Sequence, residues 1–146
     1  EKKTHVVNAY KENFNFLGFE FQMRQSSRSK KWYPHVQPSA KSLDRIKKKI
    51  TNMTNSKLTL LPIEEIVKSL NRTVRGWSNY FHYGNCSQSL SKVRYHAEER
   101  LRTHLRKRHK VIGRMPGYIK YPSKMLYEEY GLYKVPTSAG WKKRML

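Results

Sequence analysis

The sequence predicts a mainly α fold in which a short N-terminal β-hairpin precedes a three-helix bundle and an irregular C-terminal segment. Three observations predict it. An aromatic-rich stretch with partial alternation comes first, three later segments repeat apolar residues at helical spacing, and Gly113, Pro116, Gly117 and Pro122 punctuate the chain beyond the third. The chain then divides into a hairpin region (1–38), a helical region (39–112) and an irregular extension with one short helix (113–146). At 146 residues, one compact domain is expected, burying roughly two thirds of its unfolded surface.

Residues 13–24, NFNFLGFEFQMR, read as one strand buried on much of both faces. Gln25 to Lys31 reads as a loop, and Trp32 to Val36 as the returning strand. Pro34 donates no ladder bond, so that strand belongs at an edge or carries a bulge. A lone ribbon is marginal in water, so its aromatic face needs cover from the helices or from chain upstream. Ser39 is the expected N-cap of a first helix over 39–53, with Leu43, Ile46, Ile50 and Met53 on one face. A second helix starts near Pro62. Ile63, Ile66, Val67, Leu70, Val74, Trp77 and Phe81 form its apolar stripe, and Gly84 supplies a stop. A third runs from a Ser89 cap to about Lys110, with Leu90, Val93, Ala97, Leu101 and Leu105 as its seam. Gly113 to Pro122 is expected to hold no regular structure, Ser123 to Tyr130 one short helix capped by Ser123, and the tail from Pro136 little order.

Charge narrows the function. Lys and Arg number 31 against 10 Asp and Glu, a net +21, far beyond what solubility needs. Such an excess favours a polyanion, because cations that neutralise phosphates release condensed counterions. Two-metal phosphoryl transfer needs two or three convergent carboxylates. The only aspartate is Asp44, and six of the glutamates form the adjacent pairs Glu64–Glu65, Glu98–Glu99 and Glu128–Glu129, whose members point about 100° apart on a helix. No residue is therefore assigned a catalytic or metal-binding role. His96, His104 and His109 are too irregularly spaced to share a helix face, and Cys86, the single cysteine, is read as a plain small residue. No signal peptide or apolar run near 20 residues occurs, so neither secretion nor membrane spanning is expected. Glu1 in place of Met and the surplus of apolar runs read as a piece of a larger polypeptide.

The candidate site is a set of basic rails. Lys41, Arg45, Lys48 and Asn52 line the back of the first helix at i, i+4, i+7 and i+11. Lys68, Arg72, Arg75 and Asn79 repeat that spacing on the second. Arg102, Arg106, Lys107 and Lys110 extend the surface along the third, where residues 91–110 hold 8 Lys/Arg against 2 Glu. A surface helix can show such charges merely to water, but these rails lack interleaved acids, so repulsion is tolerated. Guanidinium groups match phosphate bidentately, which favours the arginines as contacts. Trp77 and Phe81 fall in the apolar seam and read as core; Tyr80 and Tyr83 lie off it, where stacking on bases and plain packing weigh equally.

Phe16-Leu17-Gly18-Phe19-Glu20-Phe21, the Pro38-Ser39 helix opening and Leu70-Asn71-Arg72-Thr73-Val74-Arg75-Gly76-Trp77-Ser78-Asn79-Tyr80-Phe81 together resemble the end of the palm and the thumb of group II intron-encoded reverse transcriptases. Arg75 to Phe81 is similar to that family's maturase, or X, domain signature, and Tyr130-Gly131-Leu132 to its closing segment; the resemblance covers about 14–133. It implies a reverse transcriptase thumb-like fold with residues 1–38 ending the palm. It further implies RNA binding, with partners that are intron RNA, an RNA/DNA template-primer duplex and the upstream fingers and palm of the same polypeptide. The family's YADD-type aspartates are absent, so the fragment needs no cofactor of its own, while Mg²⁺ is expected for the parent polymerase. A cytoplasmic, bacterial setting is implied, with an organelle as the other option. The alternatives are a basic scaffold protein of a ribonucleoprotein, the thumb of a retron or CRISPR-associated reverse transcriptase, and a metal-dependent nuclease.

Overall fold

The structure, a computed structural model, describes Asn8 and residues 12–138. A three-stranded antiparallel sheet, β1 (Phe14–Phe16), β2 (Phe19–Gln25) and β3 (Trp32–Pro38) in that order, precedes the helices. These are α1 (Ala40–Met53), α2 (Ile63–Tyr80), α3 (Ser87–Arg108), α4 (Arg114–Lys120) and α5 (Ser123–Glu128), with a single 3₁₀ turn at Ser56–Leu58. The mainly α class with an N-terminal hairpin is therefore as the sequence predicts.

The aromatic stretch forms two strands where its pattern predicts one. Leu17 and Gly18 take φ of 53° and 86°, the double positive φ that a tight two-residue hairpin turn demands, and Phe16 pairs with Phe19 across it. The Gly18 carbonyl accepts from the Ser39 amide at 2.8 Å and from the Ser42 hydroxyl at 2.9 Å. A Cβ on Gly18 would lie 3.0 Å from Ser42 Oγ and 3.1 Å from Phe81 Cζ, so the turn is seated tightly against α1 and the end of α2. Phe19, Phe21 and Met23 share one face of the sheet with Pro38, Val36 and Pro34. Phe19 meets Phe81 and Tyr80 at ring separations of 4.9 and 5.8 Å, so the helices cover part of this face. Neither β1 nor β2 is buried on both faces, and Phe16 and Leu17 are exposed. β3, with Pro34, is an edge strand.

Ser39 caps α1 by accepting from the Ser42 amide at 3.1 Å. Glu64 and Glu65 occupy the first turn of α2, where the helix dipole favours negative charge. α3 begins two residues before the expected Ser89 cap, with Cys86 at its N-cap position. Leu90, Val93, Ala97, Leu101 and Leu105 are each no more than 1% exposed. Fully burying a Leu or Val stabilises by roughly 1.5–3 kcal/mol, which makes this seam the axis of the domain; Ile46, Ile50, Val67, Leu70 and Val74 close on it from α1 and α2.

After α3 the structure departs from expectation. Pro116 and Gly117 lie inside α4, because Pro116 occupies its third position, where a missing N–H costs no intrahelical bond. Gly117 permits close contact: a Cβ there would sit 2.9 Å from Arg106 Cδ. α5 falls within the expected span, but Ser123 is no cap, since its hydroxyl binds Glu98 and Arg102. Tyr121, Leu126, Leu132 and Val135 join the core, so the chain stays packed through Val135. The tail expected to be loose lies outside the described residues beyond Ser138.

Candidate nucleic-acid interface

α1 and α2 face one another across an open cavity of about 550 Å³. Arg45 and Lys49 stand on the α1 wall and Arg72 on the α2 wall, while Trp77, Ile46 and Phe81 supply the apolar lining. Gly76 leaves a gap in the α2 wall, since a Cβ there would meet nothing within 4 Å. Tyr80 stands at the end nearest the β1–β2 turn, half exposed, with its hydroxyl donating to the Leu17 carbonyl at 2.8 Å. A second recess of about 460 Å³ lies along α2 and is lined by Lys68, Asn71, Arg72, Arg75, Gly76 and Asn79. The i, i+4, i+7, i+11 rail of α2 is thus one continuous surface, joined to the cavity through Arg72.

The first rail is split by the turn of its helix. Arg45 faces α2, whereas Lys48 lies in a separate shallow recess with Lys47, Thr51 and Asn52, beside an exposed ion pair to Asp44 at 2.9 Å. Such a pair contributes little in water. Lys41 is exposed at the start of α1. Arg106 is half-buried beneath α4, and Lys107 and Lys110 are exposed at the far end of α3. None of these three lines the α1–α2 recesses.

Arg102 requires a correction. It is 5% exposed and donates to the Tyr121 carbonyl at 2.7 Å, to Glu99 at 2.7 Å and to Ser123 Oγ at 3.0 Å. Its face of α3 is covered by the α4–α5 segment, which a helical wheel of α3 alone does not reveal. Glu98 and Glu99 organise this side. Glu99 also accepts from the Tyr118 hydroxyl at 2.7 Å and lies 3.7 Å from Arg114; Glu98 accepts from the Tyr127 hydroxyl and sits 3.8 Å from Arg94. Burial, helped by the Glu98 carboxylate, pushes the Tyr127 phenol up to about 12.

The other cations differ. Among the described residues, Arg45, Lys49, Lys68 and Arg72 form no ion pair. Arg75 lies 5.0 Å over the Tyr133 ring. Asn71 fixes that ring's segment by donating to the Gly131 carbonyl at 2.8 Å and accepting from the Tyr133 amide at 2.7 Å. The α2 rail is therefore held from behind by the packed C-terminal chain.

Sequence reasoning missed Lys49, Thr73, Gly76 and Trp77 as lining residues. Lys49 stands one turn after Arg45, so the i, i+4 half of the spacing carried the signal while the i+7 choice led to Lys48. His104 and His96 are structural: Thr54 and Lys47 carbonyls lie 3.2 Å from His104 Nδ1 and 3.0 Å from His96 Nε2. Burial holds both below the usual imidazole range, with added repulsion from Arg108 and Arg100 on His104 and from Lys47 and Arg100 on His96. Among the described residues, no three His, Cys, Asp or Glu side chains converge where a cation could be held, and no helix is long and apolar enough to cross a membrane.

The α1–α2 face of this small helical domain gathers arginine and lysine around recesses whose linings contain no carboxylate. A family model described as "Group II intron, maturase-specific domain" matches residues 43–120, from α1 through α4. The chain belongs to that family, and its role is a group II intron maturase-associated one. No curated protein matches it.

Proposed function

We propose that this domain binds RNA through the α1–α2 face, holding intron RNA during splicing and a template-primer duplex during reverse transcription by a longer polypeptide. The observation that carries the proposal is the set Arg45, Lys49, Lys68 and Arg72, unpaired among the described residues and gathered around two adjoining recesses. Arg75 and Asn79 extend that surface along α2, Lys41 and Lys48 add positive charge elsewhere on α1, and Arg106, Lys107 and Lys110 form a secondary basic patch at the end of α3. Family membership supports intron RNA as the partner in general terms. Mg²⁺ chemistry belongs, on this reading, to the polymerase part of the longer polypeptide, and this domain acts by grip alone. A duplex held on such a face dissociates more slowly, which lengthens each round of synthesis.

Salt dependence tests the reading. If about six phosphates are neutralised, log K for RNA falls with log salt at a slope of roughly −4 to −5. Fluorescence anisotropy with a labelled group II intron RNA fragment over a KCl series measures it. A slope near zero would refute a phosphate-gripping role.

A further inference from the structure

The cavity between α1 and α2 has features that a phosphate track does not need. Gripping a backbone requires cations on a surface, but here Arg45, Lys49 and Arg72 surround a recess with an aromatic lining. Its volume, about 550 Å³, falls within the range of roughly 300–1,000 Å³ that small-molecule-sized ligands occupy. The aromatic wall is pre-set. The Tyr80 hydroxyl is tied to the Leu17 carbonyl, the Tyr80 ring lies against Phe19 at an interplanar angle of 28°, and Trp77 is backed by Phe81 at 4.5 Å. On the same α2 wall, one turn before Tyr80, Gly76 contributes no side chain, and the space beside it is open. Flat walls, a slot left by a glycine and cations with no carboxylate partner match a planar ring carrying an anion. They do not match a paired duplex, whose bases are stacked out of reach.

We infer that this cavity captures one unpaired nucleotide of a bound RNA, with the base laid against the wall that Tyr80 and Trp77 form and its phosphate held by Arg45, Lys49 and Arg72. The inference rests on the RNA-binding reading above and adds to it a site selective for a bulged or looped-out residue. Stacking of a single base on an aromatic side chain changes affinity by roughly 5- to 150-fold, enough to direct the domain to an irregular position within structured RNA. Thr73, on the same wall, offers a hydroxyl to the base edge or the ribose.

The test uses two RNA hairpins of equal length, one fully paired and one carrying a single unpaired 2-aminopurine. The protein is expected to bind the bulged hairpin at least about fivefold more tightly and to quench 2-aminopurine fluorescence by stacking. Gly76→Leu fills the slot from a position with open space around it. It should abolish both preference and quenching; Gly76→Ala should give a partial loss, and thermal melting confirms that both variants fold. Equal affinity for the two hairpins without quenching, or a preference that survives Gly76→Leu, overturns the nucleotide site and leaves duplex gripping intact. Failure to bind either hairpin at low salt overturns the RNA-binding reading as well.

Discussion

On the side built by α3, α4 and α5, Glu98 and Glu99 hold Arg94, Arg102 and Arg114 among tyrosines, whereas on the side built by α1 and α2 Arg45 and Arg72 meet no carboxylate among the described residues. Both sides are rich in arginine, and placement of acid separates them. A buried guanidinium with its donors used locks one segment onto another. A guanidinium left at a recess with other cations repels its neighbours until a polyanion arrives. Arginine content therefore says little, and the position of two adjacent glutamates on α3 says which arginines are mortar and which face a recess without a carboxylate.

The largest effect should come from neutralising the second kind. Log K changes by about 0.9 per decade of salt for each phosphate contact, so at 0.1 M salt one lost contact costs roughly tenfold. Arg45→Gln, Arg72→Gln and Arg75→Gln combined should weaken RNA binding by up to roughly a thousandfold and flatten the salt slope by about 3. Stability should hardly move. Anisotropy titrations and urea unfolding measure the two quantities on the same samples, and a large loss of stability would mean these arginines serve the fold.

Arg102→Met should do the reverse. Removing one partner from a buried ion pair destabilises by about 3–5 kcal/mol, here leaving Glu99 and the Tyr121 carbonyl short of a donor. Urea unfolding reads the loss, and RNA affinity of the remaining folded protein should hardly change, since Arg102 lines neither recess of the α1–α2 face. A binding defect without a stability defect would return Arg102 to the candidate interface.

That contrast also marks what the sequence discloses. The α2 rail is legible because its spacing depends only on the helix repeat, and the α3 seam because five apolar residues follow the same period. Arg102 is illegible for the opposite reason: its burial comes from Tyr121 and Ser123, about twenty residues away on the chain, and periodicity within α3 carries no trace of them. α4 is hidden by residue identity. Pro116 and Gly117 signal a break, and only their positions, in the first turn and against the Arg106 side chain, turn them into helix residues. The β1–β2 turn uses Leu17-Gly18 where Asn-Gly is the usual sign, so the strand reads as continuous. Lys49 and Gly76 enter the candidate site only once α1 and α2 are set side by side.

A smaller effect is set by the two buried imidazoles. His96 and His104 have folded-state values below the usual 6.5, so the unfolded chain binds protons more readily. Their contribution is complete above pH 6.5 and is lost as pH falls through 6.5 toward the folded values. The urea midpoint should therefore drop between about pH 7.5 and about pH 5, and His104→Gln should flatten the drop. This belongs to the tethered part of the comparison, because His104 links α3 to the Thr54 carbonyl after α1. A midpoint unchanged across that range would mean the two rings stay accessible to protons in the fold.

The smallest expected change is the most informative about the open face. A glycine inside a helix costs about 1 kcal/mol relative to alanine, and α2 carries one at Gly76, in its interior, without a positive φ or any neighbour that a Cβ would touch. Gly18 and Gly117 are different, since each lies against atoms that a methyl group would strike. Packing thus gives no reason for Gly76, and Gly76→Ala should stabilise the domain by about 1 kcal/mol, read as a higher urea midpoint with an unchanged m-value. A helix that forgoes this stability beside an arginine-lined cavity is spending it on space. If Gly76→Ala instead destabilises the fold, the gap in the α2 wall serves packing, and the difference between the two sides of the domain narrows to charge alone.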